Sequence, residues 1–148
     1  MQAVIAQLEN LLKQYTSRLQ IVSEDDFARK ISPEKWSKKE IPGLLVDSAQ
    51  NNIQRFVRAS YENRPHIICN QEAWVLAQGY QNYPSAELIM LRQLLNKHNC
   101  AVLGNIAVET YTHLCDTGKE GARLYTVAFL ANDYKVHIVH HLKQIFNN

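Results

Sequence analysis

Apolar residues recur at intervals of three and four along extended stretches of this chain. Between residues 3 and 22 they fall at Val4, Ile5, Leu8, Leu11, Leu12, Tyr15, Leu19 and Val22. A helix turns about 100° per residue, so this spacing gathers them on one face and predicts an amphipathic helix. Turn-forming residues are scarce: five Gly and four Pro in 148 residues, half the ~12% of average usage. Few turns and long periodic stretches require few, long elements, which disfavours many-stranded sandwiches and Gly-rich nucleotide folds. With 46% hydrophobic residues, a chain of this length buries a core of its own, and residues 1–148 are expected to form one domain.

The segment from Ser23 to Trp36 breaks the periodicity and holds Pro33, so it reads as a connection. Ser37 and Glu40 then have the spacing of a capping box, in which the Ser hydroxyl accepts from the Glu40 amide and the Glu carboxylate reaches back. Pro42 is tolerated in a first turn, where amides lack intrahelical partners. A second helix is predicted from about Lys38 to Tyr61. One face carries Ile41, Leu45, Ala49, Asn52, Phe56 and Ala59, with Leu44, Ser48 and Arg55 along its edge and Asp47 and Asn51 just beyond. Asn63, Arg64 and Pro65 end it, and Asn70 to Tyr80 is a candidate short helix within the 62–83 connection. A third long helix is predicted from about Ala86 to Leu114, with Leu88, Leu91, Leu95, Val102, Ile106 and Val108 facing the core. Gly118 and Gly121 mark a loop, and a fourth helix is predicted from near Thr126 to near Phe146. Four long helices in one domain are expected to form an all-α, antiparallel four-helix bundle.

A formal net charge of +2 leaves no electrostatic footprint for nucleic acid. The densest basic stretch (Lys35, Lys38, Lys39) is bracketed by Glu34 and Glu40, so no nucleic-acid partner is expected. Cys69, Cys100 and Cys115 are widely spaced and form no C-x-x-C pair. Neither a disulfide framework nor a zinc knuckle is indicated, and the reducing cytoplasm is the expected setting. Gln, Glu and Asn interrupt the apolar residues at the N-terminus, unlike a signal-peptide core. No apolar run approaches the ~18 residues of a membrane span, so no membrane partner is expected. There is no G-x-G-x-x-G, Walker loop or G-x-S-x-G.

The histidines carry the chemical signal. Three of the six, His137, His140 and His141, fall within five residues. His137 and His141 are four apart and lie one above the other, the spacing with which an H-E-x-x-H helix offers two imidazoles to zinc. Leu130, Tyr134 and Gln144 share that face, Asp133 sits at its edge, and His140 lies about 60° away, as a supporting or exposed group. Two imidazoles alone hold a metal weakly, since a catalytic zinc has three protein ligands and an open position. Histidines in a last helical turn also interact favourably with the helix dipole when charged, so a structural reading stands beside the metal one.

Several segments, in order, resemble the DinB/YfiT-like family of four-helix bundles, described as metal-dependent enzymes. They are Lys35 to Ile41; Asp47 to Asn52 with Gln54, Arg55 and Phe56; Asn70, Gln71, Trp74 and Tyr80; and Asp133, Tyr134, His137, His140, His141, Leu142, Gln144 and Ile145. The resemblance covers most of the chain. It implies a DinB/YfiT-like bundle with a three-His site for a divalent metal, zinc or nickel, serving hydrolysis or thiol-dependent transfer. Two implied ligands are His137 and His141. The third belongs to a Gly-His-Leu triplet at the start of the second helix, which here reads Gly43, Leu44 and Leu45. A further His that often follows the Asn pair is replaced by Ile53.

Leucine cannot ligate a metal, so the implied site is incomplete. Asp47, one turn on from Leu44, is the remaining candidate ligand, although its place in the family points to an ion pair or hydrogen bond instead. Ser48, Asn51, Asn52 and Arg55 are expected to form a polar network around the vacated position, in a cleft with Trp74, Tyr134 and His140 nearby. Two functions stay open. One is a metal-dependent hydrolase or thiol transferase with weakened metal binding. The other is a metal-free homologue, without a cofactor, that binds an unknown small molecule or serves as a structural bundle. An exposed apolar side would make it a homodimer.

Overall fold

The N-terminal periodicity becomes helix α1 (Gln2–Gln20), which buries Ile5, Leu8, Leu12 and Leu19. The structure, a computed structural model, describes residues 1–146. A five-residue helix, α2 (Glu24–Ala28), follows, with the Ser23 hydroxyl accepting from the Asp26 amide. Then come α3 (Glu40–Arg58), α4 (Gln71–Gln78), α5 (Ser85–Asn105), a hairpin of β1 (Leu114–Asp116) and β2 (Leu124–Thr126), and α6 (Val127–Phe146). Short 3-10 turns lie at Tyr80–Asn82 and Val108–Thr112. No helix among the described residues is long and apolar enough to cross a membrane.

The capping box forms as its spacing requires. The Ser37 amide donates to Glu40 Oε2 at 2.8 Å, and the Glu40 amide donates to Ser37 Oγ at 3.2 Å. From there α3 presents Ile41, Leu45, Ala49, Asn52 and Phe56 to the interior, all buried. Near its start, Gly43 lets Tyr80 lie flat on the helix: a Cβ there would stand 2.1 Å from the Tyr80 ring.

Helices α1, α3, α5 and α6 form the bundle, each of α1 and α3 packing on both α5 and α6. Helix α1 runs antiparallel to α5, with Ile5 beside Gly104 and Thr16 beside Arg92. Helix α3 runs antiparallel to α6, since Ser48 meets His137 while Arg55, two turns on, feels Asp133. Helices α1 and α6 run in the same direction: Gln7 binds Lys135 and Tyr15 packs on Phe146. Helices α3 and α5 are therefore parallel as well. The antiparallel packing expected from sequence holds for two neighbouring pairs, and the other two are parallel. The cause is the long 59–84 connection, which carries the chain back along the bundle before α5 begins.

A polar ladder crosses the interior. Asn99 Nδ2 on α5 donates to the Ala49 carbonyl of α3 at 3.0 Å and to the Tyr134 hydroxyl of α6 at 3.1 Å. That hydroxyl donates to Asn96 Oδ1, and Asn96 Nδ2 donates to the Arg92 carbonyl at 2.7 Å. Arg92 Nη1 reaches Thr16 Oγ1 of α1 at 3.3 Å. The ladder thus ties all four bundle helices.

Two sequence expectations need correction. The third helix, expected to reach Leu114, stops at Asn105. Ile106 turns extended, the 3-10 turn follows, and the Tyr111 hydroxyl satisfies the Leu103 carbonyl at 2.7 Å. The core face of α5 is also rotated: it buries Leu88, Ile89, Arg92, Asn96, Asn99, Cys100 and Leu103. Leu91, Leu95, Val102 and Ile106 are only partly buried, and Val108 is exposed. Polar residues enter the core where the ladder gives most of their groups partners, and periodicity alone cannot foresee that. The hairpin was unforeseen; the chain at Pro65–Ile67 hydrogen-bonds to both sides of Asp116 and docks against it.

Candidate functional site

Where α3 and α6 run antiparallel, a cavity of about 590 Å³ opens between them. Its inner wall carries buried Ser48, Asn51 and Asn52 of α3 together with half-buried Arg55 and His137. The start of α4 closes the outer side. Asn70 caps that helix by accepting from the Ala73 amide at 3.2 Å, which turns Gln71 inward. Cys69 and Gln71 are half-buried there, while Asn70, Glu72, Lys119 and Asp133 stand exposed at the mouth.

His137 is held at both ring nitrogens. The Gln71 amide donates to Nε2 at 3.0 Å, so the neutral ring carries its proton on Nδ1, 3.4 Å from Ser48 Oγ. Ser48 in turn is bound by Asn52, whose amide donates to its carbonyl at 2.9 Å. Arg55 donates to the Ile67 carbonyl at 3.2 Å and to Asn52 Oδ1 at 3.4 Å. Burial, aided by the neighbouring His141, His140 and Arg55, pushes the His137 pKa down to about 4. The ring is neutral at physiological pH.

His141 lies one turn further, its ring centroid 4.4 Å from that of His137 and the two planes at 71°. It is buried, and burial lowers its pKa. Its Nδ1 donates to Gln144 Oε1 at 2.9 Å, and the Gln144 amide donates to His140 Nε2 at 3.2 Å.

The donor set does not fit a metal centre. Among the described residues, no group of three His, Cys, Asp or Glu side chains is gathered to hold an ion. His137 spends both nitrogens on Gln71 and Ser48. Leu44, where the resemblance places the third imidazole, is 1% exposed and belongs to the core. Asp47 is engaged elsewhere: it accepts from the Tyr80 hydroxyl at 2.5 Å and from Gln78 at 3.4 Å. Its other oxygen is buried without a partner. Burial dominates over these two hydrogen bonds and raises its pKa to about 6.

The structure gathers Ser48, Asn51, Arg55, Tyr134 and His137 around one cavity. Tyr134 lines it as well, while its hydroxyl is bonded in the ladder. Leu44, Trp74, His140 and His141 are not among the lining side chains. Sequence reasoning missed Cys69, Gln71 and Lys119. Asn70 followed by Gln71 carries a signal, because a helix cap fixes where the next side chain points. Lys119, in the loop between Gly118 and Gly121, carries none.

No protein-family model matches the chain, and no curated protein matches it. Solved structures do. YfiT from Bacillus subtilis, described as a probable metal-dependent hydrolase with an unusual four-helix bundle topology, superposes with a TM-score of 0.87 at 18% identity. The match covers 99% of this chain and 83% of YfiT. A mycothiol-dependent maleylpyruvate isomerase matches at a TM-score of 0.81 and 9% identity, and a mutant of it at 0.80 and 11%. Each match covers 98% of this chain, which spans 60% of the isomerase. The parallel and antiparallel pairs, the crossover through α4 and these superpositions agree: this chain has the YfiT four-helix-bundle fold.

Proposed function

We propose that this protein is a metal-free homologue on the YfiT fold whose cleft between α3 and α6 binds a small polar molecule. The observation that carries this reading is the bonding of His137, whose two nitrogens are taken by Gln71 and Ser48. In a ligand of a metal one nitrogen faces the ion and the other is held by a supporting group. Leu44 removes the third donor, and the Gln71 amide, which gives one N–H to His137, has its other N–H and its carbonyl for an organic ligand.

The competing reading keeps a divalent metal, zinc or nickel, on His137 and His141, with Asp47 or a thiol cofactor completing the shell, in a hydrolase or thiol transferase. The close i,i+4 approach of the two rings, edge to face at 4.4 Å, favours it. Elemental analysis of protein purified without an affinity tag separates the two. The expected result is sub-stoichiometric metal in the parent and new zinc affinity in Leu44→His. Stoichiometric zinc or nickel in the parent, lost in His137→Ala, overturns the metal-free reading.

A further inference from the structure

The inner wall of the cleft holds one positive charge that no carboxylate touches. Arg55 uses only two of its five N–H groups, toward the Ile67 carbonyl and Asn52 Oδ1. Its Nε is buried and has no acceptor. Arg55 takes part in none of the ion pairs among the described residues. Asp133 acts on it only through space, from an exposed position at the mouth, where Glu72 and Lys119 also stand. The other inner side chains, Ser48, Asn52, Gln71 and neutral His137, carry no charge. Burial works against the guanidinium and lowers its pKa.

We infer that the cleft binds a small organic carboxylate, with its two oxygens on the remaining Nη N–H groups of Arg55 and its body against the Gln71 amide. This deepens the ligand-binding reading above and rests on it. The chemistry of the wall selects the class. A guanidinium fork matches a carboxylate with two parallel hydrogen bonds, and such charge-assisted bonds are the strong ones. A neutral carbonyl ligand would satisfy an N–H but leave a half-buried charge uncompensated. A cavity of about 590 Å³ suits a small metabolite. Asp133, across the mouth, repels such a ligand and sets an upper limit on its affinity.

The test is a ¹H–¹⁵N NMR titration of the whole chain at fixed ionic strength with acetate, acetamide and inorganic phosphate. Saturable shifts at residues 48–55 and 69–72 are expected with acetate, with acetamide about tenfold weaker or more, and with phosphate weaker because Asp133 at the mouth repels its second negative charge more strongly. Arg55→Met is expected to lose about tenfold in acetate affinity or more. Arg55→Lys, which keeps the charge and loses the fork, is expected to fall between, and Asp133→Asn to bind more tightly. Far-UV circular dichroism checks that each variant is folded. Unchanged acetate affinity in folded Arg55→Met or Arg55→Lys, or weaker binding in Asp133→Asn, overturns the proposal. Equal binding of phosphate makes the site a general oxyanion site and overturns the carboxylate assignment. Equal binding of acetamide overturns that assignment too but leaves the cleft a ligand site. If no probe gives saturable shifts there, both readings fall.

Discussion

Two polar networks share helix α6, and each contains an arginine with unpaired N–H groups. In the cleft, Arg55 is half-buried beside a cavity, and ligand or solvent can reach the wall it lines. In the ladder, Arg92 is 0% exposed, with Nε and Nη2 both lacking acceptors. Burial brings its pKa down to about 10, so it stays charged at neutral pH. Tyr134 is the wall between the two networks: it lines the cleft and its hydroxyl closes the ladder. The same chemical group therefore has opposite consequences. A guanidinium beside a cavity keeps its remaining Nη N–H groups for recognition, even though its Nε is buried. An unpaired donor sealed in a core is a cost to the fold, recovered only in part by ordering its neighbours.

The sharpest way to break this comparison is Arg92→Met. Thr16 keeps its own bond to the Leu12 carbonyl at 2.7 Å, so removing the guanidinium strands no acceptor. The expected result is a gain of about 1–4 kcal/mol in urea denaturation. A loss of stability would show that Arg92 is compensated inside the core, and the contrast with Arg55 would disappear.

The next effect reads two desolvated groups of α3 and α6: Asp47, beside Tyr80, and His137, in the cleft. Asp47 has a folded-state pKa of about 6 against an ordinary 3.8. Between these values the folded chain keeps a proton that the unfolded chain has released, so stability falls as pH rises toward 6. His137 has a folded-state pKa of about 4 against 6.5. There the unfolded chain binds a proton that the folded ring refuses, so stability rises as pH rises from 4 to 6.5. The two slopes oppose each other. Asp47→Asn should leave the His137 slope, with stability increasing by about 2 kcal/mol across this window relative to the parent. His137→Gln should leave the Asp47 slope and change in the opposite sense. Denaturant midpoints at pH 4 and 6.5 read both, and parallel curves for parent and variants would refute the assignment.

A smaller effect tests the wall. Tyr134→Phe leaves Asn96 Oδ1 and one bond of Asn99 without their partner, at a cost of about 1–2 kcal/mol. Ligand binding in the cleft should be unaffected, because the hydroxyl is spent on Asn96 and Asn99. Smallest of all is His140→Ala, where an exposed ring should shift stability by less than about 0.5 kcal/mol. A larger shift, seen as a lowered melting midpoint, would show that the Gln144 bridge carries structural weight.

The helices of the bundle were legible because burial repeats every turn. The α3 face from Ile41 to Ala59 emerged as its spacing required, and Ser37 and Glu40 marked its start. Helix α5 was legible as a helix but not in its facing. It exposes Met90 and Leu94 while burying Arg92, Asn96 and Asn99, and a helical period cannot tell which stripe meets partners that hydrogen-bond to it. The hairpin was out of reach because strands of three residues have almost no local signal, and their pairing depends on Pro65 and Ile67 arriving from another segment. In the site, His137, Ser48, Asn51 and Arg55 were found by spacing and resemblance. Gln71 appeared only as part of the resemblance, with nothing to relate it to the His137 ring it bonds.

By itself the sequence determined the long helices and the loss of one implied ligand, since side-chain identity at Leu44 decides what it can donate. Only the tertiary structure decided what His137 does and which arginine is sealed. Gln71 stands 66 residues before His137, and no local pattern relates the two. Their meeting depends on the crossover that returns α4 to the α3–α6 seam. That same path leaves Arg55 beside a cavity, while Arg92, on the neighbouring helix, is closed in the core.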